Sequence, residues 1–476
     1  MMKALVSEAD QVRRWWRLYW IAAATFLPTL FFYYVGEEAI FPVSALEMWH
    51  QGEWLRRLLF GGDLEHMPLY TWLIMPLAAL FGWEFLLPVT RAITISATVI
   101  TGLVTAQLVM RLYGDRLLAA FAAVSFITFS DLFLYRGWLA YVDPLFSLFV
   151  FLAMASLWLA CEQRDFRWLT GAVVSLSAAF LSKALTAYTF YAGAALVLLF
   201  RAEYRPFLLS WRSLIMHVAA FALPLIWFAS IAPARSQGNR MFTEITAKLA
   251  PENLGGYLAK LFLYPLEFAL ACAPVLLVAV WYAARARQWP IAADDRHART
   301  ALGILAVNFL PYWLAPHSHI RYLLPLFPLA ALLLACGLLR LGEPAQTSAR
   351  RWVQALIVVK LLLVLLVFPW YQQHYRGANY RDAAMDILQR TKGFPLHTLN
   401  VSASGLSVAA YLDVARLPGD PVRFPPQDWT DGFVMAYEDL PAHGRRVTTY
   451  RLGGNDLFLF CRGRACDSPQ PDGLLK

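Results

Sequence analysis

The chain has 476 residues, of which 59% are hydrophobic and 15% charged, against about 25% charged in soluble domains. Apolar runs of about 20 residues recur from Trp16 almost to Trp370, which excludes an ordinary soluble enzyme and points to a polytopic membrane protein. The formal net charge of +9 falls largely in short arginine-bearing loops, so it speaks for membrane orientation and not for nucleic-acid binding.

The first element is "RRWWRLYW" and the apolar run behind it. The basic flank resembles a signal peptide, but the run to Tyr34 is long enough to span and no small-residue cleavage site follows. It reads as a first helix. Candidate spans follow at 15–35, 87–110, 117–134, 143–161, 167–182, 184–201, 211–231, 257–283, 299–315, 321–340 and 352–370. This predicts an all-α polytopic membrane protein with about 11 transmembrane helices over residues 1–370.

With the N-terminus cytoplasmic, the inner loops become "RLYGDR", "CEQRDFR", "RAEYRPFLLSWR", "ARARQWPIAADDRHAR" and "RLGEPAQTSARR". Each is short and holds at least two arginines, as the positive-inside rule requires. The segment 67–83 contains two prolines and is short for a span; it reads as a helix lying at the outer interface of the first outer loop, 36–86, with a short span as the alternative.

An odd number of spans puts residues 371–476 outside, as a small extracytoplasmic α/β domain. "NYRDAAMDILQRT" and "SGLSVAAYLDVA" are helix-like, while "LHTLNV", "DGFVMAY", "RVTTYRL" and "DLFLFCRG" are strand-like. Cys161, Cys272 and Cys336 fall within or at the ends of spans and read as buried apolar side chains. Cys461 and Cys466, in "CRGRAC", suit a tight disulfide in an oxidising compartment.

Polar residues on the outer side carry the functional argument. The first outer loop begins with adjacent acids, Glu37 and Glu38, and continues to His66. The second outer turn has Arg136 and then Asp143-Pro144. The third has Lys183, the sole strongly polar residue of a long apolar stretch, and the fifth has His317, His319 and Arg321. Each has an ordinary structural alternative: a helix cap for Asp143, a solvated loop face for the glutamates, snorkelling for Lys183, interfacial placement for the histidines. Together they suit a different purpose. Cations at one membrane face suit a phosphate, and a nearby carboxylate suits activation of a hydroxyl.

The ordered motifs resemble those of the bacterial protein-O-mannosyltransferase and aminoarabinose-transferase-like glycosyltransferases, the GT-C group that uses polyprenyl-phosphate sugars. The series is "EEAIFPVSALEMWHQGEW", His66-Met67-Pro68-Leu69 with Trp72, Arg91 in "LPVTRAITISA", Asp143-Pro144, Lys183 in "FLSK", and "YLLPLFP". The chain departs from that family pattern at Glu37, where Asp is usual, and at His66-Met67, where Lys-Pro or His-Pro is usual.

The resemblance implies a glycosyltransferase of the bacterial inner membrane with its active site on the periplasmic side. It would move a sugar, with inversion, from a polyprenyl-phosphate donor to a hydroxyl or phosphate on an envelope glycolipid, glycan or protein. Glu37 is the expected base and Asp143 its partner. Glu38 is the runner-up base, or else holds the loop through backbone hydrogen bonds. His66, Lys183, Arg321, His319, Arg91 and Arg136 are the expected donor-phosphate ligands. No cofactor is required; a divalent cation could be shared by Glu37 and Asp143, though no ligand set compels it. A transporter or flippase for an anionic or lipid-linked substrate stands as the alternative, and it predicts internal repeats and midplane charges that the sequence does not display.

Overall fold

The computed structural model describes residues 2–64, 67–231, 253–288, 294–374, 380–399, 401–452 and 456–467. Among these, five helices are long and apolar enough to cross a bilayer: Trp83–Tyr113, Asp143–Gln163, Trp211–Ser230, Ile320–Arg340 and Glu343–Gln372. Leu254–Ala271 and Val275–Ala286, bent by 103° at their junction, make a sixth if they are one span. The expected count of about 11 is therefore corrected to five or six among the described residues.

The excess has identifiable causes. Helices Arg116–Ile127, Phe166–Ser182 and Thr186–Leu199 have 12, 17 and 14 residues. At 1.5 Å per residue they reach roughly 18–26 Å, short of a ~30 Å hydrocarbon core. Asp115 and Asp165 cap the first two at their N-termini, and Lys183 ends the second, so polar caps shorten what reads in sequence as continuous apolar runs. The first helix runs from Met2 to Ala24 and spends its first half on charged residues. The helix Arg296–Leu314 opens on Arg-His-Ala-Arg. The expected single span 257–283 breaks at Cys272–Pro274, where proline cannot continue a helix.

Apolar side chains nevertheless face outward along whole helices. Val218 and Leu225 of Trp211–Ser230 are each 71% exposed, and Leu365 and Leu366 of Glu343–Gln372 are 56% and 62% exposed. Such continuous stripes suit lipid and not water. The protein is a multi-pass membrane protein.

The chain folds into two compact units. One comprises Met1–Leu27, Thr94–Trp138 and Val142–Leu361; the other comprises Pro28–Ile93, Leu139–Tyr141 and Leu362–Lys476. In the first, helix Asp143–Gln163 is buried along nearly its whole length and packs most extensively on Phe166–Ser182. Trp15 stacks on Phe121 at 4.4 Å between ring centroids, joining Met2–Ala24 to Arg116–Ile127.

The second unit joins the first outer loop to the C-terminal residues in one core. The loop supplies helix Ile40–Gln51, helix Leu69–Phe81 within the segment expected to be an interfacial helix, and a short hairpin, β1 (Leu58–Leu59) and β2 (Gly62–Asp63). The C-terminal elements appear where the sequence places them: helices Tyr380–Arg390 and Ala403–Arg416, and strands β3 (Leu396–Thr398), β4 (Gly432–Ala436), β5 (Arg445–Tyr450) and β6 (Leu457–Arg462). The sheet order is β3-β4-β6-β5, with β3 parallel to β4 and the other pairs antiparallel. Tyr34 packs edge-on to Tyr411, and Phe60 to Phe424, both at 5.5 Å. A disulfide joins Cys461 at the end of β6 to Cys466.

Candidate active site

The two adjacent acids of the first outer loop have opposite surroundings. Gly36 has φ +59°, and a Cβ there would meet the Tyr141 hydroxyl at 2.9 Å, so only glycine fits this turn. The turn leaves Glu37 exposed, with its backbone N–H donating to Tyr141 Oη at 3.2 Å. Glu38 points inward and is fully buried. Its Oε1 accepts from Arg91 Nε at 2.9 Å and from Ala140 N at 2.6 Å; its Oε2 accepts from Arg91 Nη2 and Val35 N, both at 2.6 Å.

Arg91 completes that cage. Its remaining N–H groups donate to the carbonyls of Thr29 (2.6 Å), Phe32 (2.8 Å) and Tyr33 (2.9 Å), so all five guanidinium donors are used. The sequence motif places Arg91 at the donor phosphate. It is instead fully buried and spent on the fold of the loop. Glu38 likewise takes the second of its two expected roles, holding the loop through backbone hydrogen bonds. A carboxylate with four donors and an ion partner is poorly placed to take up a substrate proton.

The other unit assembles a second group of charges. Asp143 opens helix Asp143–Gln163 with Pro144 in its first turn, and it forms an ion pair with Lys183, the residue that ends helix Phe166–Ser182. The Lys183 ammonium lies 5.2 Å from the Tyr322 ring centroid and 5.7 Å from that of Phe146. Arg321 donates to Tyr322 Oη at 3.3 Å, and the charges of Arg321 and Arg136 both act on Asp143. Arg136 itself pairs with Asp131 at 2.9 Å. His319 immediately precedes the 3-10 turn Ile320–Leu326, and its ring lies 5.9 Å from the Tyr322 ring. Lys183 thus pairs directly with Asp143, and the charges of Arg321 and Arg136 reach it from within the same unit.

Asp131 has no place in the sequence motifs, and Tyr322 enters them only as the first residue of "YLLPLFP". Asp131 stands five residues before Arg136, a spacing that puts side chains about 140° apart on an α-helix. The π-helical turn Leu132–Arg136 brings them together. An acid in an apolar run was the available signal. His66 lies outside the described residues. Among the described residues no group of three or more His, Cys, Asp or Glu could hold a metal ion. An apolar cavity of about 650 Å³, lined by residues including Phe268, Leu276, Val280, Arg287 and Leu333, contains none of the expected site residues.

The core shared by the first outer loop and the C-terminal residues holds further buried acids. Burial pushes the Asp413 carboxyl up to about 7, offset in part by the Val422 N–H it accepts at 2.7 Å and by Arg416, and reinforced by Glu47. Burial also raises Glu47, against hydrogen bonds from the Gly61 and Phe60 backbone.

The family model described as dolichyl-phosphate-mannose-protein mannosyltransferase matches residues 65–230. The undecaprenyl phosphate-alpha-4-amino-4-deoxy-L-arabinose arabinosyl transferase of Enterobacter sp. (strain 638) is 27% identical over 293 residues, or 58% of this chain. The match spans about half, 50%, of that relative's length. ArnT from Cupriavidus metallidurans in the apo state superposes with a TM-score of 0.68 at 15% identity, covering 96% of this chain and 99% of that one. ArnT bound to undecaprenyl phosphate gives 0.66 at 14% identity, covering 95% and 98%. The chain has the fold of these two ArnT structures.

Proposed function

We propose that the protein is an integral-membrane glycosyltransferase that moves a sugar from a polyprenyl-phosphate donor to an acceptor on the bacterial envelope, a lipid A-type glycolipid first among the candidates. The observation that carries this reading is the set Lys183, Arg321 and Arg136 around Asp143, on a fold shared with a transferase crystallised with undecaprenyl phosphate. The chemistry needs such a set. Attack on the anomeric carbon breaks the bond from that carbon to the phosphate oxygen, and the phosphate changes from a singly charged diester to a monoester bearing close to two charges. Preorganised cations stabilise the charge that develops, and one such donor in a water-poor site is worth roughly 10²–10³ in rate.

The attacking oxygen approaches the face opposite the leaving phosphate, so the anomeric configuration inverts and no glycosyl-enzyme forms. For a hydroxyl acceptor the proton must go to a base, and Glu37 takes that role: it is the exposed member of the acidic pair. For a phosphate acceptor the attacking oxygen is already ionised, and the base becomes dispensable. Asp143 holds Lys183 at the leaving phosphate. The membrane is the inner membrane, with the N-terminus cytoplasmic and the C-terminal residues periplasmic; five crossings would place the two ends on opposite faces, and the arginine-rich stretches "RLGEPAQTSARR" and "CEQRDFR" favour the cytoplasmic face for the loops that hold them.

Mass spectrometry of envelope lipids from a deletion strain tests the reading. An unmodified glycolipid should accumulate and its sugar-bearing form disappear. An envelope glycolipid and glycan profile identical to the parent would remove it.

A further inference from the structure

Lys360 is a lysine that the proposed chemistry does not use. It lies within the span Glu343–Gln372 and is 1% exposed, surrounded by protein and not at an end from which it could reach water. A buried intramembrane cation is costly unless it is compensated. Its partners are specific. The ammonium donates to the backbone carbonyl of Phe133 and lies 3.7 Å from the Phe26 ring centroid and 4.6 Å from that of Phe133.

Phe133 belongs to the π-helical turn Leu132–Arg136. In an α-helix the Gly137 N–H would serve the Phe133 carbonyl, four residues back; here it serves Leu132, five back, at 2.8 Å. The Phe133 carbonyl therefore loses its regular helical donor, and Lys360 supplies one. The next carbonyl, Leu134, accepts from the Trp138 indole at 3.1 Å. Two side chains thus satisfy the carbonyls that the extra residue displaces. The turn they hold ends in Arg136 and sets it against Asp131, with its charge acting on Asp143.

We infer that Lys360 is a positioning residue for the donor-phosphate site: its ammonium, clamped between the Phe26 and Phe133 rings, pins the π-helical turn that aims Arg136. This deepens the proposed function and rests on it. A lysine suits this post because it offers a donor to a carbonyl and a charge to two ring faces at once. Methionine would fill the same volume without either.

The test is binding of undecaprenyl phosphate to purified protein in detergent, with thermal unfolding recorded on the same samples. Lys360→Met should raise the dissociation constant about tenfold, as should Arg136→Ala. The double variant should be no weaker than Arg136→Ala alone, because the lysine acts through that arginine. Lys360→Arg, which keeps charge and donor, should bind within about threefold of wild type. A folded Lys360→Met protein that binds as wild type, or losses that multiply in the double variant, would overturn the inference. If Lys360→Met does not fold, Phe26→Leu decides: it removes the nearer ring, and weakened binding supports the clamp whereas unchanged binding overturns it. Wild-type protein that fails to bind undecaprenyl phosphate at all would instead remove the proposed function, and this inference with it.

Discussion

Replacing Arg91 should unfold the first outer loop without touching the chemistry directly. The side chain makes five hydrogen bonds, two to Glu38 and three to the carbonyls of Thr29, Phe32 and Tyr33, with no exposure to solvent. In Arg91→Ala, Glu38 keeps only the N–H groups of Val35 and Ala140, and its charge is buried without a counter-ion. Breaking such a pair costs about 3–5 kcal/mol, and the three carbonyls lose donors in addition. Glu38→Gln should cost a comparable amount, since one amide oxygen cannot replace two carboxylate oxygens and its NH2 would face an N–H donor. The pair acts as a unit, so Glu38→Gln with Arg91→Met should destabilise by less than the sum of the two changes. The assay is the temperature at which purified protein in detergent loses its monodisperse peak in size exclusion, with Glu37→Gln as the neighbouring control. Arg91→Ala and Glu38→Gln proteins as heat-resistant as wild type would refute the structural role given to this cage.

Glu37→Gln should leave thermal stability unchanged and, with a hydroxyl acceptor, lower turnover at least about 10²-fold while donor binding persists; turnover near wild type with a hydroxyl acceptor would exclude Glu37 as the base. Asp413 is an acid raised in the folded state, so the folded protein holds its proton where the unfolded chain has released it, and stability falls as pH rises from about 4 towards 7. Asp413→Asn should therefore stabilise the protein at pH 8 and flatten the difference between pH 5 and pH 8 in thermal unfolding; a pH dependence unchanged by the substitution would contradict this. Cysteine introduced at the exposed residue Asp428 should react with an impermeant thiol reagent in spheroplasts while cysteine at Gln288 should not; the reverse pattern would put the site on the cytoplasmic face.

Much of the C-terminal region was legible because its strands and helices carry their own periodicities, and local patterning needs no distant partner to be read. The Asp143–Lys183 pair could be placed at helix ends from Pro144 and from a lone lysine in an apolar run. The span count failed for a physical reason: hydropathy measures apolar length, whereas a helix stops where a cap or proline stops it, as at Asp165, Lys183 and Pro274. Arg91 was misread because sequence shows a charge but not its burial. Five hydrogen bonds to residues between 53 and 62 positions away have no local signature. The π-helical turn was equally invisible, because it depends on Lys360, 227 positions from Phe133.

The protein should transfer a sugar from a polyprenyl phosphate. The direct measurement incubates purified protein with a panel of undecaprenyl-phosphate-linked sugars and envelope lipid extract, and follows free undecaprenyl phosphate by mass spectrometry. For at least one sugar, release should require the acceptor extract and should fall at least about 10²-fold in Lys183→Ala, which removes a cation from the leaving phosphate. Folded wild-type protein that releases no undecaprenyl phosphate from any donor, or a Lys183→Ala protein that releases it at the wild-type rate, would contradict the account.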